Sequence, residues 1–185
     1  MDPDQAIPVR RSRRIAYANK WITVYEDELT YADERPGLYG VVDKADFALV
    51  IPRRAGRLCL IRQYRYTIGA WRWEFPQGAV DRGGDPVPME QVAEQELREE
   101  AGLVASRLVP LGWFHELYGL CPSRCHVFLA DVGESGAPAP EYTEILDEPA
   151  WVTPSEFWQL VRRGEISDGP SIAAMGLLRQ AADGI

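Results

Sequence analysis

Apolar and polar positions alternate with a two-residue period through the opening of the chain. From Trp21 to Tyr31, Ile22, Val24 and Glu26 fall on one side and Trp21, Thr23 and Tyr25 on the other, which predicts a strand. Arg14–Tyr17 alternates in the same way, Asp33–Gly37 has the composition of a turn, and Leu38–Val42 reads as the returning strand. The first forty residues therefore predict a β-rich meander set apart from a compact core. Phe47–Pro52 and Leu58–Tyr66 are strongly apolar strands of a central sheet, around the turn Arg53-Arg54-Ala55-Gly56.

An aromatic strand, Trp73-Glu74-Phe75, leads into a tight loop, Pro76-Gln77-Gly78, and the period then changes to that of a helix. Asp85 is placed to cap that helix, with Pro86 and Pro88 in the first turn, where no donor is lost, and Gly102 as its stop. Met89, Val92 and Ala93 form its apolar row. Beyond it, Arg107–His115 and His126–Ala130 are strands joined by a loop from Glu116 to Cys125. Gly133–Pro140 is a surface loop opening into the acidic stretch Glu141–Glu148, and Trp151–Thr153 is a short strand. Pro154–Arg163 reads as a helix with Phe157, Leu160 and Val161 inward, and Ser171–Ala182 as a closing helix carrying Ile172, Met175 and Leu178. There is no internal repeat. Strands and helices mixed in this order predict an α/β fold, a sheet covered by helices on both faces.

Composition narrows the function. The 185 residues, 46% hydrophobic, suffice for one domain with a full core, divided by pattern into a loose 1–12, a meander over 13–44 and the main domain over 45–185. A net charge of -8 disfavours a nucleic-acid surface, so an anionic substrate would need local arginines or a metal to draw it in. The three cysteines, Cys59, Cys121 and Cys125, make an odd number without framework spacing, which suggests reduced thiols in a cytoplasmic protein. No long apolar run follows the charged N-terminus, so neither a signal peptide nor a membrane anchor is expected.

The chemistry centres on Glu96, Glu99 and Glu100. Three- and four-residue spacings put them on one face of the helix, beside its apolar row and in its last two turns. There the helix dipole is negative, and each like-charge pair costs roughly 0.2–0.5 kcal/mol. A hard cation reverses that sign, since Mg2+ is held by one or two carboxylates and the oxygens of a bound phosphate. Three glutamates on an arbitrary helix are most often a solvated acidic end. Here a strand and a glycine loop precede them, and together these elements make a metal and phosphate cradle.

The stretch Gly78–Leu103 resembles the signature box of the Nudix hydrolases, G-x5-E-x7-R-E-U-x-E-E-x-G-U with U a bulky aliphatic. Glu96-Leu97-Arg98-Glu99-Glu100-Ala101-Gly102-Leu103 matches its second half in full. Gln95 stands where the family has arginine, and the segment from Gly78 to Glu96 is three residues longer than the pattern, with Asp85 nearest to the early glutamate. Gln95 can hydrogen-bond a neighbouring carboxylate but cannot neutralise it. The resemblance implies a Nudix α/β/α sandwich with a mixed sheet, Mg2+ or Mn2+ held by Glu96, Glu99, Glu100 and the backbone carbonyl of Gln77, and a small-molecule nucleotide as substrate.

Arg62-Gln63-Tyr64-Arg65 is similar to a segment of the ADP-ribose pyrophosphatase branch, which implies that Arg65 faces substrate; the plain alternative is a pair of arginines in salt bridges. The same branch implies that Trp21 and Tyr39 sandwich the adenine in a homodimer with exchanged N-terminal strands, with Lys44 as a phosphate or ribose contact. Stacking of this kind is worth roughly 1–3 kcal/mol per base. Tyr118-Gly119 departs from the branch, where a proline precedes the glycine. The general base is expected to be Glu144, from a loop glutamate as in family members, or Glu99. Cys121, Cys125, His115 and His126 lack the paired short spacings of a zinc site. The function implied is Mg2+-dependent hydrolysis of ADP-ribose to AMP and ribose 5-phosphate. Another nucleotide sugar, a nucleoside triphosphate, or ligand sensing without catalysis stay open beside it.

Overall fold

The computed structural model describes residues 7–79, 87–133 and 145–183. These divide into two compact units: residues up to Ala45 together with His115–Ser123, and the remainder from Asp46 onward.

The first unit is built on three antiparallel strands in the order β1 (Val9–Ala18), β2 (Ile22–Thr30), β3 (Pro36–Lys44). The expected meander is present, but its first strand begins at Val9, opposite Thr30, so the loose segment expected through residue 12 is corrected from that point on. Charge explains the strand: Arg13 forks onto Asp27 at 2.6 and 2.7 Å, and Arg14 reaches Glu26 at 2.5 Å. Every residue of β1 is exposed.

The second unit is an α/β/α sandwich. A mixed sheet runs in the order β10 (Leu146–Val152), β5 (Arg57–Arg65), β4 (Phe47–Arg54), β9 (Arg124–Val132), β8 (Ala105–His115), with β4 and β9 parallel. β6 (Ala70–Glu74) pairs with β5, and β7 (Gln77–Ala79) pairs with β4. Period-two alternation sorts the central strands onto two cores. Phe47, Leu49 and Ile51 of β4 join Leu58, Leu60, Val127 and Leu129 on one face, against α2 (Pro154–Arg162) and α3 (Gly169–Asp183). Ala48 and Val50 join Cys59, Ile61 and Phe128 on the other, against Val92, Ala93 and Leu97 of α1 (Met89–Ala101). Burying each large side chain contributes about 1.5–3 kcal/mol relative to leaving it exposed. Among the described residues no helix is long and apolar enough to cross a membrane.

Several expected boundaries move. The proposed cap Asp85 and Pro86 lie outside the described residues; α1 starts at Met89 with Pro88 as its N-cap and no side-chain cap. Gly102 does end the helix, in the left-handed conformation at φ 64°. Pro76-Gln77-Gly78, expected as a loop, contributes to β7, because pairing with Leu49 and Ala48 outweighs its turn-like composition. Asp147 and Glu148, expected in an acidic loop, belong to β10, where Asp147 opposes Arg62. α3 begins at Gly169, two residues early, because Asp168 caps it by accepting the Ser171 N–H at 2.8 Å.

Candidate active site

β6, β7 and α1 build the site. β6 turns at Pro76 into β7, and the Pro76 carbonyl accepts the Val50 N–H at 2.9 Å, which ties the turn to the central strand. The last two turns of α1 lie against β7. Glu100, 1% exposed, accepts the Gln77 backbone N–H through Oε2 at 2.8 Å. Glu96 lies over Gly78 so closely that a Cβ added there would run into its carboxylate. The close approach uses the glycine: the missing side chain is the space the acid occupies. Glu99 is half-buried, and its Oε1 accepts the Gln95 amide at 3.1 Å, the neutral contact expected of that substitution.

A second layer stands behind β7. Gln77 donates through Nε2 to Asp168 Oδ2 at 3.2 Å, and Ser171 Oγ accepts the Phe75 N–H at 3.0 Å. Arg65 forks onto Glu74, which is 1% exposed, with its Nε at 3.1 Å from Oε2 and its Nη2 on Oε1. Burial pushes the Glu74 carboxyl above the usual carboxylate range, against the pull of Arg65 and a hydrogen bond from the Gln77 side chain.

The donors suit a hard divalent cation. Glu96 and Glu100 carry carboxylates one helical turn apart, set beside a backbone stripped of its Cβ. Among the described residues no three His, Cys, Asp or Glu side chains are gathered into a ready-made metal cluster. Mg2+ ordinarily keeps its waters and takes only one or two protein carboxylates beside substrate phosphates, a demand this pair meets.

A model of the NUDIX domain matches residues 43–175, well over half of the chain. The chain belongs to the NUDIX domain family. It is 35% identical over 132 residues to an ADP-ribose pyrophosphatase of Mycobacterium tuberculosis, covering 71% of this chain and 62% of that one. It is 26% identical over 129 residues to an ADP-ribose pyrophosphatase of Bacillus subtilis, covering 67% and 66%. The match thus spans just under two thirds of the length of each of these two relatives. A CMP-5'-(N-acetyl-N-hydroxy-3-aminopropyl)phosphonate hydrolase of Streptomyces rubellomurinus is 24% identical over 170 residues, 91% of this chain and 81% of that one. The crystal structure of an ADP compounds hydrolase superposes with a TM-score of 0.82 at 19% identity, covering 96% and 95% of the two chains, a likeness of fold.

Within this Nudix chain the residues singled out from sequence fall into distinct groups. Gln77, Glu96, Glu99 and Glu100 come together on β7 and α1. Arg65 stands beside them with both Nε and Nη2 engaged by Glu74. Trp21, Tyr39 and Lys44 belong to the first unit, where Trp21 is 60% exposed under the Lys20 ammonium, Tyr39 donates to the Gly119 carbonyl at 2.6 Å, and Lys44 pairs with Glu116 at 2.5 Å. Glu144 lies outside the described residues. His115 meets the Ser123 carbonyl and His126 meets Asp46.

Sequence reasoning missed Glu74, Asp168 and Ser171. Glu74 was hidden inside an aromatic strand. Asp168-Gly169-Pro170-Ser171 did carry a signal, an acid three residues ahead of a serine with proline between, the pattern of a capped helix start.

Proposed function

We propose that this chain hydrolyses the pyrophosphate bond of a nucleoside diphosphate derivative with the aid of a divalent cation, Mg2+ or Mn2+, and that ADP-ribose, cut to AMP and ribose 5-phosphate, is its substrate. The observation that carries this reading is the seating of Glu96 and Glu100 against Gly78 and Gln77. When bound, such a cation polarises a phosphoryl oxygen and lowers the pKa of a water. Glu96 and Glu100, with the Gln77 carbonyl, would hold it, and Glu99 would contribute a further carboxylate.

In the reaction, a water oxygen bonds to phosphorus, the bridging P–O bond breaks, and the water's proton passes to a carboxylate. Glu144 or Glu99 is that base. Glu99 is suited to the task by its place in the last turns of α1 beside Glu96 and Glu100. Arg65, oriented by Glu74, would offer charge to the phosphate oxygens that do not react. Trp21 and Tyr39 would stack on the base and Lys44 would meet a phosphate or ribose. The reading extends to a homodimer through the three-stranded sheet, supported by the exposed Ile15 and Leu38, and to a reducing cytoplasm, supported by three free thiols.

A second reading keeps the chemistry and changes the substrate to a cytidylyl compound, favoured by the 91% coverage of the phosphonate hydrolase match. A substrate panel with separation of the nucleotide products tells the two apart. ADP-ribose with Mg2+ is expected to yield AMP, and Glu100→Gln to lose about 100-fold or more of that turnover while the metal-free melting temperature moves little, since glutamine still accepts the Gln77 N–H. Native turnover by Glu100→Gln would refute the site. A ligand-induced thermal shift with no product would indicate a sensor instead.

A further inference from the structure

We infer that the side chains of Gln77 and Asp168 form a brace that holds the cation-binding carboxylates in register, which makes both of them positioning residues. The inference rests on the reading of Glu96 and Glu100 given above. β7 is only three residues long, and a strand so short is held weakly by its own ladder. The structure compensates at each peptide around the turn. Phe75 donates its N–H to Ser171 Oγ at 3.0 Å, the Pro76 carbonyl accepts the Val50 N–H, and the Gln77 amide reaches Asp168 Oδ2 at 3.2 Å. The same Asp168 oxygen accepts the Ser171 N–H at 2.8 Å, so the cap of α3 and the anchor of β7 are one atom. On its other side the Gln77 peptide donates to Glu100 Oε2 at 2.8 Å.

A shift of the Gln77 side chain therefore rotates the peptide that aims Glu100 and moves the neighbouring Gly78 over which Glu96 lies. The chemistry of the brace suits its place. An amide donates two hydrogen bonds without carrying charge, so it orders nearby acids without competing for the cation, as a lysine or arginine at position 77 would. Gln77 serves Asp168 in this way.

Three variants separate bracing from folding. Gln77→Met keeps length and the backbone N–H and removes the amide. Asp168→Asn keeps both the cap and the acceptor for Gln77. Asp168→Ser keeps the cap but is too short to serve both partners. Mn2+ binding to the full chain without nucleotide, followed by the electron paramagnetic resonance of free Mn2+, is read beside the metal-free melting temperature and the kcat and KM for ADP-ribose. Gln77→Met and Asp168→Ser are expected to bind Mn2+ about tenfold more weakly and to lose kcat with KM unchanged, while Asp168→Asn binds as the native chain does. Melting temperatures are expected to stay within about 3 °C. If the native chain binds Mn2+ and Gln77→Met binds it equally well, the brace is overturned and the cation reading stands. If the native chain neither binds Mn2+ nor turns over ADP-ribose with it, both fall; if it binds none alone yet turns over ADP-ribose, equal kcat in Gln77→Met and the native chain overturns the brace. Should Gln77→Met fail to fold, equal Mn2+ affinity in Asp168→Ser and Asp168→Asn overturns the brace.

Discussion

Gly78 and Glu96 are a matched pair, one side chain occupying the room another lacks. The atoms a Cβ would strike all belong to the far end of the Glu96 side chain, which can swing aside at little cost to the fold. Gly78→Ala is therefore expected to leave the melting temperature within about 3 °C of native and to cut turnover by about 10–100-fold, through displacement of a carboxylate rather than loss of structure. Calorimetry beside a turnover assay checks this; loss of both together would mean the glycine serves the fold. Glu74 makes the complementary point. An ionised carboxyl at 1% exposure is costly unless paired, and Arg65, nine positions earlier in the chain, supplies the fork. Spacing along the sequence put Glu96, Glu99 and Glu100 on one helix, but it did not mark Glu74 as an ion-pair partner, because the register of the β5–β6 hairpin, with Glu74 opposite Ile61 and Arg65 opposite Ala70, decides which acid the arginine reaches.

The helices differ in how they start, and so in how they answer to pH. α2 begins with a capping box: the Glu156 N–H reaches Thr153 Oγ1 at 3.2 Å and Glu156 Oε2 accepts the Thr153 N–H at 2.7 Å. The bond from the Thr153 backbone holds the Glu156 carboxyl below its ordinary value of 4.5. Because the folded value is the lower one, this contribution is complete above pH 4.5 and is lost as pH falls through the folded value. The melting temperature of the native chain is expected to drop toward that of Glu156→Gln on acidification from about pH 6 to about pH 3; parallel curves in a pH series of thermal melts would show that the box contributes no linkage. Thr153→Ala, which removes the other half of the box, is expected to cost about 1 kcal/mol in denaturant unfolding. The helix itself, with Phe157 and Leu160 inward, was legible in advance. β7 was not, since Pro76-Gln77-Gly78 reads as a turn until Leu49 and Ala48 are found opposite it.

The two cores of the second unit place all the apolar runs of the central sheet between helices, and Cys59 and Cys125 lie within them, at 1% and 0% exposure. Burial pushes the Cys59 thiol up to about 12, so the reactive thiolate is suppressed in the native state. Cys121, in the first unit, is buried as well. Ellman's reagent is expected to leave the folded protein nearly unlabelled at about pH 8 and to titrate all three thiols on denaturation, which makes labelling a clock for opening. Rapid labelling of a folded sample would contradict this packing.

Periodicity alone told helix from strand over most of the chain and put three acids on one helical face, because both depend on rotation per residue and so are written locally. The box on which the family resemblance rests is likewise written in consecutive residues, as a motif rather than a period. Which apolar strands share a core, why Gly78 lies under Glu96, and how the side chains of Gln77 and Asp168 meet behind the carboxylates depend on contacts between segments remote in the chain. Those contacts arise when β4, β6, β7 and α3 pack, and a linear pattern holds no record of that packing.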